Sequence, residues 1–432
     1  MSIRSQFLSK SVIDFIYMFS SNLIKKGFGF FREIILAAIF GSSIFYSNFL
    51  FLKTISELFS EFTQGSAMQA ALLSKFSKLY SSNKDVSLKN IFKFSQKVML
   101  VLFVLSQVIQ IPIVFYLQTE YFWTFIFVSI LLGIILSVNF YNAIFLVIMQ
   151  GKGQFRKHSI STTIDIFLST LVLYPLSIIF GIIGIALSRL VGLFSLFYFY
   201  LFPMMKENTG EKIQFGVKDF SIPVLFLGNL SNIIILISRF TAGLDNTNNI
   251  AFFNYSVVIL NVFLTAVILN LNTIILQRIS IKKDLRLIFF SVFGALVFGL
   301  GLVFVIDTFG FVIFQFIFER GAFTLNDTIA TVAYAKDLSY SFILIFIAAV
   351  LFQPFFTLPS SDVSKFSMKF ASFFIVAIIT ILIYFYYNSS DTKTNSLVMM
   401  YCLSSVYFII SIFSFFEQLL KNNNPNKKGL IT

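Results

Sequence analysis

Apolar residues fill this chain in long runs broken by short polar interruptions, not in the narrow stripes of a water-soluble helix. The runs fall at about 8–40, 44–74, 90–118, 122–150, 157–180, 182–204, 219–241, 249–277, 286–318, 326–357, 366–388 and 395–420. Each approaches or exceeds the ~20 residues that an α-helix needs to cross a bilayer. A transmembrane barrel would show ~10-residue alternating segments instead. The pattern therefore predicts an all-α polytopic membrane protein of twelve spans. The first run contains Asp14 and lacks a small-residue cleavage site, so it reads as a retained span and not a signal peptide. The longest polar interruption near the middle, "MMKENTGEKIQFGVKDF" (Met204–Phe220), divides the spans six and six. This predicts an N-terminal lobe over 1–204, a cytoplasmic linker over 205–218, a C-terminal lobe over 219–421 and a cytoplasmic tail over 422–432. Two helical lobes around a central cavity are a common transporter plan.

Composition agrees: 57% of residues are hydrophobic, 12% are charged and the mean hydropathy is +0.89. The net charge of +13 does not point to nucleic acid, because the basic residues alternate from loop to loop. One set of loops and termini carries 23 Lys and Arg, while the other carries only Arg320 and Lys393. By the positive-inside rule both termini are expected in the cytoplasm. The external loops are short, and no extramembrane segment is long enough to fold as a catalytic domain, so the chain is not expected to be an enzyme and no catalytic residues are assigned. A single cysteine, Cys402, excludes an intrachain disulfide and any cysteine-cluster metal site. The single histidine, His158, stands near Lys152, Arg156 and Lys157 and reads as a solvated loop residue. The 61 phenylalanines read as packing and lipid-facing side chains.

The informative residues are the charges inside the spans. Span 1 holds Asp14, Lys25, Lys26, Arg32 and Glu33; span 2 holds Lys53, Glu57 and Glu61; further along come Asp165, Arg189, Arg239, Asp307, Lys336 and Asp337. At a bilayer centre such a charge costs ~2.5–3.5 kcal/mol on insertion scales, so it normally faces a cavity or a partner. Lys25 and Arg32 are seven residues apart and share a helix face with Gly29 between them; Asp14, eleven before Lys25, lies near that face. Lys53, Glu57 and Glu61 recur every four residues and form a second stripe. A short loop joins the two spans, so they are expected to be antiparallel neighbours with the stripes facing across a wet cavity. An ion-pair lattice, Lys53 with Glu57 or Lys25 with Glu57, is the alternative. A cavity for an anionic ligand fits the excess of cations, and the planar fork of arginine suits phosphate. Asp337 reads as a bundle-interior or ion-coupling carboxylate, or one half of an ion pair. Arg239 and Asp307 lie near outer span ends and are expected to snorkel to the interface.

Three stretches carry a resemblance. "GFGFFREIILAAIFGSS" (Gly27–Ser43) resembles the opening helix of the MurJ (MviN) lipid II flippases. "FTQGSAMQAAL" (Phe62–Leu72) is similar to the stretch after that family's second-helix arginines, with Gly65 and Gln69 matching. "FIFERGAFTLNDT" (Phe316–Thr328) resembles its external loop between spans 9 and 10, a Gly-x-Phe-Thr motif followed by an acid. The wider superfamily, the multidrug/oligosaccharidyl-lipid/polysaccharide exporters, shares a twelve-helix, two-lobe core. Of the family's essential arginines, Arg32 matches one in span 1 and Lys26 falls where the other would be. In span 2 the matching place is Phe59 or Ser60, with Lys53 the nearest cation; in span 8 it is Val258. The family's aspartate at the outer start of span 2 falls near Tyr46 or Ser47. Family members tend to have fourteen spans, the last two forming a groove for the lipid tail, whereas twelve are read here.

The resemblance implies a flippase of the bacterial inner membrane that moves an undecaprenyl-diphosphate-linked saccharide, such as lipid II, outward by alternating access. An O-antigen or capsule repeat-unit flippase is the alternative, and a cation-coupled multidrug antiporter a further one. Lys25, Lys26, Arg32, Lys53 and Lys336 are the expected substrate-binding residues. Asp14, Glu57, Glu61 and Asp337 are the expected ion-coupling or charge-balancing residues, served by a monovalent cation or a proton. No other cofactor, no metal and no nucleic acid is expected; the partners are the lipid-linked saccharide and membrane lipids, and the protein is expected to act as a monomer.

Overall fold

The computed structural model describes residues 3–63, 72–73, 76, 79–80, 88–117, 119–203, 229–263, 286–353, 355, 360–387 and 391–422. The far part of expected span 2 with Gly65 and Gln69, the linker, the start of span 7 and the end of span 8 lie outside them. Within them the protein is a multi-pass helical membrane protein, with no strand. The helices are α1 (Ile3–Phe40), α2 (Ile44–Thr63), α3 (Leu88–Leu117), α4 (Phe122–Gly151), α5 (Phe155–Leu171), α6 (Leu173–Phe180), α7 (Ile182–Leu196), α8 (Leu230–Ala242), α9 (Asn249–Phe263), α10 (Arg286–Phe318), α11 (Leu325–Leu351), α12 (Ser360–Tyr387) and α13 (Thr392–Asn422). A five-residue π-helical turn, Phe197–Leu201, follows α7. Span 5 is α5 plus α6, broken at Val172. Pro175 explains the break: it lacks an N–H, and its ring would meet the carbonyl of Leu171 four residues earlier.

The chain forms two compact units, Met1–Asn229 with Arg320–Phe323, and Leu230–Glu319 with Thr324–Thr432. In the first, α1 runs along α5, α2 packs on α4 and α3, and α7 packs on α4, α5 and α6. In lipid the apolar surroundings give little hydrophobic drive between helices, so close packing and polar contacts carry the association. The α3–α4 seam shows such a contact: the Gln107 amide donates to the Ser129 carbonyl at 3.0 Å and accepts from the Ser129 hydroxyl at 3.1 Å. Below it, the rings of Tyr141 and Phe145 of α4 pack tilted, with centroids 4.7 Å apart, within a buried cluster that includes Leu196 and Leu201.

The tetrapeptide Arg320–Phe323 belongs to the first unit because it docks on the end of α1. The Ala322 N–H donates to the Ala38 carbonyl at 2.8 Å. Gly41 and Gly321 both have positive φ, 56° and 59°. A Cβ on Gly41 would stand 2.4 Å from the Ala322 carbonyl oxygen, and one on Gly321 2.2 Å from that of Ala38. Glycine is required at both places for conformation and for room. Two of the stretches that carry the family resemblance thus meet in space.

In the second unit α11 is central, packed on α9, α10 and α13, and α8 packs on α13. Thr324 caps α11: its hydroxyl accepts from the Asp327 N–H, while the Asp327 carboxylate accepts from the Thr324 N–H at 2.7 Å. This reciprocal capping box is the physical content of the Thr and the acid in the Gly-x-Phe-Thr motif. The loop before α9 is tied to the start of α13, where Asn249 donates to the Thr392 hydroxyl at 3.0 Å and the Thr392 hydroxyl donates to Asp245. Much of the phenylalanine faces outward, with Phe290 and Phe316 of α10 each 76% exposed.

Candidate functional site

The site grows from the polar face of α1. Its first rung is Ser21, whose hydroxyl donates to the Ser159 carbonyl of α5 at 2.9 Å and bonds the Thr163 hydroxyl at 2.7 Å. One turn on, the Lys25 ammonium donates to the Thr162 hydroxyl at 3.2 Å. Thr162 in turn donates to the His158 carbonyl at 3.0 Å. Two turns further, Arg32 Nη2 donates to the Ile185 carbonyl at 3.2 Å and to the Ser188 hydroxyl at 3.4 Å, both on α7. α5 is fitted to receive α1 because its "SISTTID" segment places short hydroxyl side chains three and four residues apart, on one face. In the same seam Arg189 Nη1 donates to both oxygens of Asp165, at 3.0 and 3.2 Å.

This arrangement corrects the expected neighbourhood of span 1. The Lys25–Arg32 face looks toward α5 and α7, not toward α2, because the hydroxyls and carbonyls that satisfy it lie there. The contact with α2 is made by the adjacent Glu33, which turns about 100° from Arg32 on a 3.6-residue helix. Lys53 stands 3.9 Å from Glu33 and 3.4 Å from Glu57, so it is shared by two carboxylates. The local Lys53–Glu57 pair read from the sequence is present, and Glu33 is a partner that the sequence reading missed. The cross-helix pair of Lys25 with Glu57 does not form: Lys25 takes Thr162. Lys26 is exposed and lies within Coulombic range of Glu61. Glu61 also accepts, through its backbone carbonyl, a 2.6 Å hydrogen bond from Asn229. Asp14 sits in the first part of α1, and its side chain lies outside the described residues.

Two further expectations change. His158 is buried at 8% exposure, and its Nε2 bonds the Gln150 amide at 3.0 Å. It begins the helix that packs on α1 and so is covered, whereas a solvated loop residue was expected. Arg239 is buried at 6% and donates to Asn254 of α9 at 2.8 Å, so it does not snorkel to an interface. Asn254 lies one turn before Val258, the place where the resemblance implies an arginine. Asp337 forms an ion pair with Lys393 at 3.7 Å, with both side chains partly exposed. Asp307 is exposed and accepts from the Tyr340 hydroxyl at 3.5 Å. The Lys336 ammonium has no hydrogen bond or ion pair among the described residues.

The α1 seam presents two cations whose hydrogen bonds go to uncharged groups. Lys25 and Arg32 are held by a hydroxyl, a hydroxyl and a carbonyl, all neutral, and neither closes an ion pair among the described residues. Carboxylates act on them at longer range: Asp165 on both, and Glu33 on Arg32.

No protein-family model matches the sequence, and no curated protein matches it. Solved structures do match in fold. Along 94% of this chain it aligns with 87% of a lipid II flippase MurJ in an inward-closed conformation, at a TM-score of 0.68 and 17% identity. It aligns over 96% of its length with 99% of an inward-facing multidrug resistance MATE-family transporter of the MOP superfamily, at a TM-score of 0.63 and 12% identity. An outward-facing MATE transporter of the same superfamily matches at a TM-score of 0.56 and 14% identity, with 94% of each chain covered. The fold is that of these membrane transporters.

Proposed function

We propose that the protein is a flippase that moves a polyprenyl-diphosphate-linked saccharide from the cytoplasmic to the external leaflet by alternating access. The observation that carries this reading is the pair of span-1 cations, Lys25 and Arg32, whose hydrogen bonds go to neutral groups. A diphosphate leaving water needs charge compensation. Arginine and lysine two turns apart on one face supply it, while hydroxyls of α5 and α7 keep both side chains oriented. Lys26 adds charge at the exposed edge. Lys53 links α1 to α2 through Glu33 and pairs with Glu57, while Glu61 balances Lys26. The bias of basic residues between alternate loops supports cytoplasmic termini. The likeness in fold to a lipid II flippase supports this class, and lipid II is the first substrate to test.

A second reading, the repeat unit of a surface polysaccharide, shares the diphosphate and differs in the sugar. The test is complementation. The chain is expressed in bacteria depleted of their lipid II flippase, and separately in bacteria lacking a polysaccharide repeat-unit flippase. Rescue of the first identifies a lipid II-type cargo, and rescue of the second alone identifies a repeat unit. Failure in both, with the protein inserted and full-length, contradicts the proposal.

A further inference from the structure

Arg189 is a cation of the first unit to which the reading above gives no task. Its guanidinium is gripped from one side. Nη1 holds both oxygens of Asp165, and Nη2 reaches Asn139 Oδ1 on α4 at 3.4 Å. The Asp165 side chain behind it is only 8% exposed, whereas that of Arg189 keeps 29%. Asp165 comes this close to α7 because residue 192 is glycine: a Cβ there would stand 2.5 Å from Asp165 Oδ1. The Nε–H of Arg189 has no acceptor among the described residues.

The neighbouring residue on α7 is Ser188, which receives Arg32. Two guanidinium groups, one from α1 and one from α7 itself, therefore meet along one turn of α7, and among the described residues Asp165 is the carboxylate that hydrogen-bonds one of them. Like charges in a low-dielectric seam repel strongly. Asp165 offsets one of them and fixes where it points; the second remains open to an anion.

We propose that Arg189 is a specificity-determining residue that selects a diphosphate over a monophosphate. Asp165 and Asn139 act as positioning residues, holding its open edge beside Arg32 so that adjoining phosphates engage the two guanidiniums. This inference rests on the anion site proposed above. A single phosphate is compensated by Lys25 and Arg32; the additional charge of a diphosphate calls on a further planar donor.

The test uses the purified full-length protein and two probes, inorganic pyrophosphate and inorganic orthophosphate, titrated calorimetrically. Arg189→Gln is expected to weaken pyrophosphate by about tenfold or more, equivalent to ~1.4 kcal/mol, and to leave orthophosphate within about twofold of wild type. Arg189→Lys retains the pair with Asp165 and is expected to recover part of the preference, since it offers a point charge. It also serves where the glutamine variant is not monodisperse. Asp165→Asn is expected to reduce the ratio of the two affinities by unfixing Arg189. A purely structural ion pair would lower the melting temperature in all three and leave the ratio unchanged, which would overturn the proposal. Failure of the parent reading looks different. Arg32→Gln would then bind both anions as wild type does, or wild type would bind neither, and either result removes this inference as well.

Discussion

The N–H of Ala322 donates to the carbonyl of Ala38 across 284 positions of sequence, at 2.8 Å. Both backbones are brought together by glycines, Gly41 and Gly321, whose missing side chains leave room for each other's carbonyl partners. The loop read as external between spans 9 and 10 is thereby fastened to the end of α1, the helix that carries Lys25 and Arg32.

Adding a methyl at either glycine tests this fastening. Gly41→Ala or Gly321→Ala is expected to cost about 1–2 kcal/mol for the left-handed backbone alone, and more through the clash. Thermal unfolding of the purified protein should show a lower midpoint for each. Gly294→Ala, inside α10 where a Cβ meets nothing within 4 Å, is the control and should unfold no earlier than wild type.

The two second-unit cations should separate by assay. Arg239 is buried and bonded to Asn254, so Arg239→Gln is expected to destabilise the protein by about 1–3 kcal/mol through loss of a buried hydrogen bond from a charged donor. Lys336 has no such partner among the described residues. Lys336→Gln is therefore expected to leave the melting temperature unchanged and to lower transport. Equal loss of stability in both would show that Lys336 is held by groups outside those described.

Asp391 caps α13 and gives a pH prediction outside the membrane. Hydrogen bonds from the Thr394 hydroxyl and backbone N–H, the latter at 3.0 Å, hold its carboxyl below its ordinary value of 3.8. A lowered folded value means that the cap's contribution is complete above the ordinary value and fades as pH falls through the folded one. Asp391→Ala is expected to cost about 1 kcal/mol near neutral pH. The difference from wild type should shrink in melting curves taken at progressively more acidic pH; a difference that grows toward acid would contradict the assignment.

Topology is tested by cysteine labelling in a chain carrying Cys402→Ser. Cysteines at Ser43, Asn246 and Ser390 are expected to react with an impermeant thiol reagent added outside. Those at Asn83 and Thr209 are not. External labelling at Asn83 would invert the orientation given by the basic loops.

The span pattern was legible because a bilayer imposes one length and one composition on every crossing helix. The break at Val172 was legible in principle from Pro175 and was missed. The site was legible only in part. Spacing placed Lys25 and Arg32 on one face correctly, since helical geometry alone decides that. It did not say which helix they face. Chain continuity suggested α2, but the hydroxyl-rich segment of α5 received Lys25 and α7 received Arg32, and "SISTTID" was the overlooked signal for the first. His158 and Arg239 were misread for a related reason. Local sequence shows charge and loop proximity, whereas burial depends on which helix arrives from elsewhere.

If the span-1 cations carry the diphosphate, Arg32 is the residue on which transport turns. The most direct measurement is transport of a fluorescent polyprenyl-diphosphate saccharide in proteoliposomes, comparing wild type with Arg32→Ala and Arg32→Lys at equal incorporation. The alanine variant is expected to lose transport by at least about tenfold, and lysine to restore only part, since it replaces a bidentate fork by a point charge. Wild-type transport by Arg32→Ala would contradict the account.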